Sequence, residues 1–311
     1  MGTRRRIPLE RGVMVYLFAV AAALVSAMAG ISQRLGLESA PEDSAMRLRL
    51  LTHGLRRGIW LVGFGLLLGQ FVLQATALRF GQLSVVQPVL TLDLLFVVAI
   101  LAVFFHRRVG WREWGAATAI VVGLGGFLLL ASPAVGRGIP TAAGWVAVTC
   151  VVAAASASLV VTTRWGPRWW KATAFGAAAA VLFAYNAALT KATTTIITGG
   201  WRHVLTHWEP WAIGVTGLLG FFLLQNALHA GPIAASRATM VTVNPLVSIA
   251  IGATIFHEHL RTGHGLVVAE IFALLVLCAG GFGLANSPLV TGVEAEGQHG
   301  EVLGTPAVPP P

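Results

Sequence analysis

Two carboxylates stand in the middle of apolar runs: Asp93 within LeuThrLeuAspLeuLeuPhe and Glu270 within ValValAlaGluIlePheAla. On insertion scales a charge at the centre of a membrane span costs about 2.5–3.5 kcal/mol, so an ionisable side chain there is a candidate for proton or cation coupling. Amides accompany the carboxylates. Gln70 and Gln74 lie one helical turn apart, Gln87 precedes Pro88, Tyr185 precedes Asn186, Gln225 adjoins Asn226, and Asn244 precedes Pro245. Proline removes a helical hydrogen bond and frees the carbonyl one turn earlier. Together these eight polar side chains predict a shared substrate cavity, with Asp93 and Glu270 as coupling groups. The structural alternative is ordinary glue between packed helices, at about 0.6 kcal/mol per bond.

Other chemistries find less support. His257-Glu258-His259 with His264 has the residue types of a metal site, but the four sit together at a helix end without His-Glu-x-x-His spacing. The histidines read as solvated loop side chains, and no metal is expected. A phosphate-cradling Gly-x-x-x-x-Gly-Lys-Ser/Thr is absent, which excludes ATP-driven transport by this chain alone. No nucleophile is paired with a base at a shared depth, so neither enzymatic activity nor a cofactor is expected. Cys150 and Cys278 lie inside apolar spans and read as small buried side chains. Arg237, about a turn into its span, is expected to snorkel towards headgroups.

The composition says what must position these residues. Apolar types make up 56% of the 311 residues and Asp, Glu, Lys and Arg only 11%, against roughly 25% charged in a soluble domain. Mean hydropathy is +0.77. Nine apolar runs reach the ~20 residues a spanning helix needs: roughly 13–33, 58–78, 82–105, 114–131, 142–163, 172–190, 210–229, 233–256 and 265–285. The formal charge of +9 comes from Lys and Arg between spans, where they set orientation and meet lipid headgroups, so the partner is a bilayer and not nucleic acid. Their slight excess in loops 34–57, 106–113 and 164–171 favours a cytoplasmic C-terminal tail. Residues 46–57 are expected to lie along the interface, and the Pro-rich tail to be disordered.

The chain also contains itself twice. AlaAlaAla at 21–23 leading to Gln33-Arg34 matches AlaAlaAla at 178–180 leading to Thr190-Lys191. LeuThrHis at 51–53 returns at 205–207, and AlaLeuArgPheGly at 77–81 pairs with AlaLeuHisAlaGly at 227–231. PheHisArgArgVal at 105–109 pairs with PheHisGluHisLeu at 256–260, and GlyGlyPhe at 125–127 with GlyGlyPhe at 280–282. All are offset by 150 to 157 residues and keep their order. The Arg4-Arg5-Arg6 start resembles a signal peptide, but the run after it is repeated mid-chain, as a cleaved leader would not be. The expected architecture is an all-α polytopic membrane protein of about nine transmembrane helices, in two inverted four-helix repeats joined by a central helix. Residues 1–133 form the first repeat, 134–168 the joining span, 169–287 the second repeat and 288–311 the tail. Five spans separate the starts of the two copies, so they enter the membrane from opposite sides, as in many secondary transporters.

With these motifs the chain resembles the drug/metabolite transporter superfamily, EamA-like, and is most similar to its actinobacterial nine-span members and to NIPA-type magnesium transporters. The likeness rests on LeuGlnAlaThrAlaLeuArgPheGly at 73–81 and its continuation to Leu90, on 224–238, and on the helix-end motifs at 105–109 and 256–260. Such proteins usually carry Glu in both helix-end motifs; here Glu258 keeps it and Arg107 replaces it. The resemblance implies a plasma-membrane secondary transporter of a small solute or metabolite working by alternating access, with Asp93 or Glu270 available for proton coupling. Two alternatives stand beside it: a divalent-cation permease of the magnesium type, and a non-transporting scaffold subunit. Ala- and Gly-rich spans permit close packing within one chain or between two protomers of a homodimer.

Overall fold

The computed structural model describes residues 9–37, 58–106, 108–131, 140–197, 200–231, 233–258 and 264–287. The interfacial stretch at 46–57 and the acidic tail lie outside them. All regular structure among the described residues is helical. The order is α1 Leu9–Leu37, α2 Gly58–Phe80, α3 Leu83–Leu90, α4 Leu92–Val103, α5 Trp111–Ala131, α6 Ala142–Thr162, α7 Arg168–Ile196, a short α8 Trp201–Thr206, α9 Glu209–Ala230, α10 Ile233–Ile255 and α11 His264–Ala285. Counting α3 and α4 as one broken span, nine helical segments among the described residues are long and apolar enough to cross a bilayer. This is a multi-pass membrane protein. Large apolar side chains such as Leu68, Val72, Leu218, Phe222, Val268 and Phe272 point outwards, the arrangement expected where the solvent is lipid and only the backbone must be satisfied internally.

Helix packing follows the repeat. α1 packs along α2 as α7 packs along α9, and α1 meets α3 and α4 as α7 meets α10. α5 and α11 pack on each other. They run antiparallel at very close range: a Cβ at Gly280 would stand 2.7 Å from both the Ala116 carbonyl and the Ile120 nitrogen, and Gly123 faces the Leu277 backbone as closely. Glycine is needed here because the facing atoms are main chain and cannot step aside. The helix-end motifs also agree in backbone. His106 and His257 sit at matching places and share a left-handed conformation, φ 53° and 51°.

Two features break the symmetry. α7 extends to Ile196 and is buried along most of its length, touching α2, α6, α9 and α10, whereas α1 lies at the edge. The expected end at residue 190 falls short by more than a turn. Hydroxyls of Thr190 and Thr194 hydrogen-bond back to carbonyls of their own helix, 2.8 Å to Asn186 and to Lys191, so the Thr-rich stretch continues as helix, with the Thr193 hydroxyl left buried and without a partner. The second break is the gap at Thr91. Pro88 has no N–H to give, the Thr91 N–H and hydroxyl both turn back to the Pro88 carbonyl (3.2 and 2.6 Å), and a new helix starts at Leu92. Its counterpart α10 contains Pro245 and runs through unbroken. α6 rests mainly on α7, which leaves Cys150 exposed, against the burial expected of it, while Cys278 is buried; both are free.

Candidate functional site: a broken helix between a polar crossing and a buried ion pair

The break brings Asp93 into the first turn of α4, where the unpaired N–H groups of a helix start favour negative charge. Ser26 of α1 and the Leu94 backbone hydrogen-bond its carboxyl, and the Arg237 guanidinium from α10 lies close enough to act on its charge. Arg237 is half-buried, and its charge acts on Asp93. On the neighbouring face α3 meets α10. There Asn244 donates to Gln87 at 3.4 Å, and Gln87 is 2% exposed. The repeat spacing relates these two contacts. Gln87 corresponds to Arg237 at the spacing of the AlaLeu-x-x-Gly motifs, and Asp93 to Asn244 at that of the helix-end motifs. One contact thus sets a carboxylate within the field of a guanidinium, and the other joins two amides.

At the other end of α3 stands Glu258. It is 3% exposed. Its carboxylate accepts from the Leu83 N–H at 2.8 Å, the Ser84 N–H at 3.0 Å and the Ser84 hydroxyl at 2.6 Å, and it pairs with Lys191. A carboxylate at a helix N-terminus satisfies orphan N–H groups and complements the dipole. The left-handed turn at His257 aims it, and the Glu258 N–H closes onto the Gly252 carbonyl at 3.0 Å. Lys191, carried inward by the extended α7, also lies 4.7 Å from the centre of the Phe256 ring. Phe256 in turn packs edge-on against Trp145, which meets Tyr185 and Trp208. Desolvating two charges is costly unless their hydrogen bonds are filled, and here four donors converge on one carboxylate. Lys191 and Glu258 escaped notice as a pair. The available signals were that Lys191 aligns with Arg34 and that Glu258 is the acidic position of the helix-end motif.

The other expected cavity residues are distributed among separate contacts. Tyr185 joins Thr149 of α6 at 2.7 Å. Asn186 donates to the Ile213 carbonyl and the Thr216 hydroxyl of α9, at 2.7 and 2.8 Å. Gln70 and Gln74 hydrogen-bond each other at 2.9 Å on α2, Asn226 donates to Phe222 of its own helix, and Gln225 is half-buried beside it. Glu270 is 5% exposed, with one carboxyl oxygen lacking a hydrogen-bond partner. It lies one turn from Ala273, which belongs to an apolar cluster with Phe127 and Ile249. So the structure brings Gln87 and Asn244 together, with Asp93 at the adjacent break, and leaves the remainder on their own helix pairs. Among the described residues no three His, Cys, Asp or Glu side chains gather as a metal site.

With this geometry in place, comparison with known proteins adds one relative. The chain is 28% identical over 281 residues to an uncharacterized protein of Corynebacterium glutamicum, covering 90% of this chain and 97% of the other. No protein-family model matches the chain. No solved structure matches it either.

Proposed function

We propose that this chain is a secondary transporter that moves a small polar solute across the plasma membrane by alternating access, and that it belongs with the drug/metabolite transporters its motifs resemble. The observation carrying this reading is the broken third span, with Asp93 at the break and a polar crossing between repeat-related helices beside it. Interrupted helices at a repeat interface are where secondary transporters bind their substrates, because irregular backbone at membrane depth is tolerated only inside protein or along a cavity. A scaffold would have no use for such a break. The charge balance narrows the substrate. Arg237 places a positive charge in the field of Asp93, so the crossing offers no isolated negative charge. Mg²⁺ prefers carboxylate oxygens and retains its waters, and a guanidinium beside the carboxylate opposes it. A neutral or zwitterionic solute fits better than a divalent cation.

The ion pair at the far end of α3 supplies a gate. Release of Glu258 from Leu83, Ser84 and Lys191 frees α3 to swing about Thr91, opening the crossing on that side. The test is counterflow uptake of a pool of labelled polar metabolites into proteoliposomes holding the purified full chain. Saturable uptake that survives chelation of divalent cations and is lost in Asp93→Asn is expected. Uptake confined to Mg²⁺, or none of any solute, overturns the reading.

A further inference from the structure

The amide pair at the crossing has spare capacity. Asn244 and Gln87 share one long hydrogen bond, which leaves Gln87 Nε2 and Asn244 Oδ1 buried and without partners; Ser248 Oγ, one turn along α10 on the same face, is in the same position. Gln87 and Ser248 are 2% and 0% exposed. A buried polar atom left unpaired is unfavourable by about 1–3 kcal/mol, so three of them around one contact call for an explanation. Reassigning the amide atoms does not supply one. Turning both side chains over makes Gln87 the donor to Asn244 and leaves Gln87 Oε1 and Asn244 Nδ2 spare; turning only one sets oxygen against oxygen or nitrogen against nitrogen. Either way one donor and one acceptor remain.

We infer that this contact is the recognition element for the solute, and that the solute carries an amide-type edge, an N–H beside a C=O, as in a primary carboxamide, a ureide or a lactam. The inference rests on the transport reading and gives it a substrate class. Such an edge gives its N–H to Asn244 and accepts from Gln87, with the Ser248 hydroxyl able to do either. The amide pair itself is neutral, and the neighbouring Asp93 and Arg237 carry opposite charges, so the contact asks for no net charge on the ligand. A carboxylate offers acceptors only and an amidinium donors only, and each leaves half of the pair unmatched. Sites built to hydrogen-bond a group discriminate strongly against analogues lacking it, because their own polar atoms are then left unpaired.

The test uses the purified full chain and four probes of one shape: benzamide, N,N-dimethylbenzamide, benzoate and benzamidine, with binding followed by ligand-observed NMR. Benzamide is expected to bind at least tenfold more tightly than the other three. Asn244→Asp replaces a donor by an acceptor, so its preference should move at least tenfold towards benzamidine; Gln87→Glu, a change at the facing amide, should do the same and serves if the first variant misfolds. A wild-type protein that ranks the four alike or binds none, or folded variants that keep the wild-type order, overturns the inference. Its failure is separable from that of transport. A chain that alternates access without preferring benzamide loses only the substrate class, and one that prefers benzamide without alternating loses only the transport reading.

Discussion

The two helix-end motifs share a backbone and differ in what they do. PheHisArgArgVal and PheHisGluHisLeu bend at the same left-handed histidine, yet only the second delivers a carboxylate, and that carboxylate crosses into the first repeat to cap α3 and hold Lys191. At the corresponding place in the first repeat stands Arg107. A cation cannot accept from the N–H groups at a helix start and is repelled by its dipole, so the mirror contact has no counterpart in charge. The left-handed turn is common to both motifs, whereas an acidic residue follows it in only one. The crossing shows a similar contrast, with Asp93 and Arg237 on one side and amides on the other.

Removing the grip should have the largest effect. Glu258→Ala strands Lys191 in a buried site, at a cost of about 3–5 kcal/mol, readable as a large fall in melting temperature in detergent. Lys191→Met with Glu258→Leu leaves no charge behind and should recover most of it. If the double variant is as unstable as the single one, the pair is not the source of the effect. Next comes the contact that both repeats share equally. Gly280→Val places side-chain atoms against the backbone of Ala116 and Ile120 and should destabilise by about 1–3 kcal/mol; a neutral result would mean that α5 and α11 do not meet so closely.

At the crossing, Asp93→Asn should lower uptake at least tenfold, about 1.4 kcal/mol. Adding Arg237→Gln makes both faces amide pairs and should return part of the flux. No recovery would separate the Asp93 role from Arg237. The smallest effect belongs to glue: Asn186→Ala removes two bonds between α7 and α9 and should shift stability by about 1.2 kcal/mol, at about 0.6 per bond, with uptake retained. Lost uptake in a stable Asn186→Ala protein would place that residue with the substrate.

The nine spans were legible because a bilayer demands ~20 apolar residues per crossing, and the repeat because its motifs keep their order and spacing. Pro88 announced a disturbance in the third span, but the turn at Thr91 depends on hydroxyl and backbone bonds that Pro245, in a similar apolar setting, does not provoke. Lys191 was lost to the loop because threonines are poor helix formers by propensity, and local bonding to carbonyls overrides that. The Asp93–Arg237 and Gln87–Asn244 contacts were hidden for a different reason. The residues involved lie about 150 positions apart in sequence, and only packing of α10 on α3 brings them into one region.

Alternating access is the central claim, and it can be measured without knowing the solute. Thr91, buried at the break, is replaced by cysteine in a chain whose Cys150 and Cys278 have been changed to serine. A membrane-impermeant maleimide is then added to right-side-out and inside-out vesicles. Labelling from both sides, with Glu258→Gln changing the ratio between them, is the predicted result; labelling from one side only, or from neither in a protein of normal stability, contradicts the account.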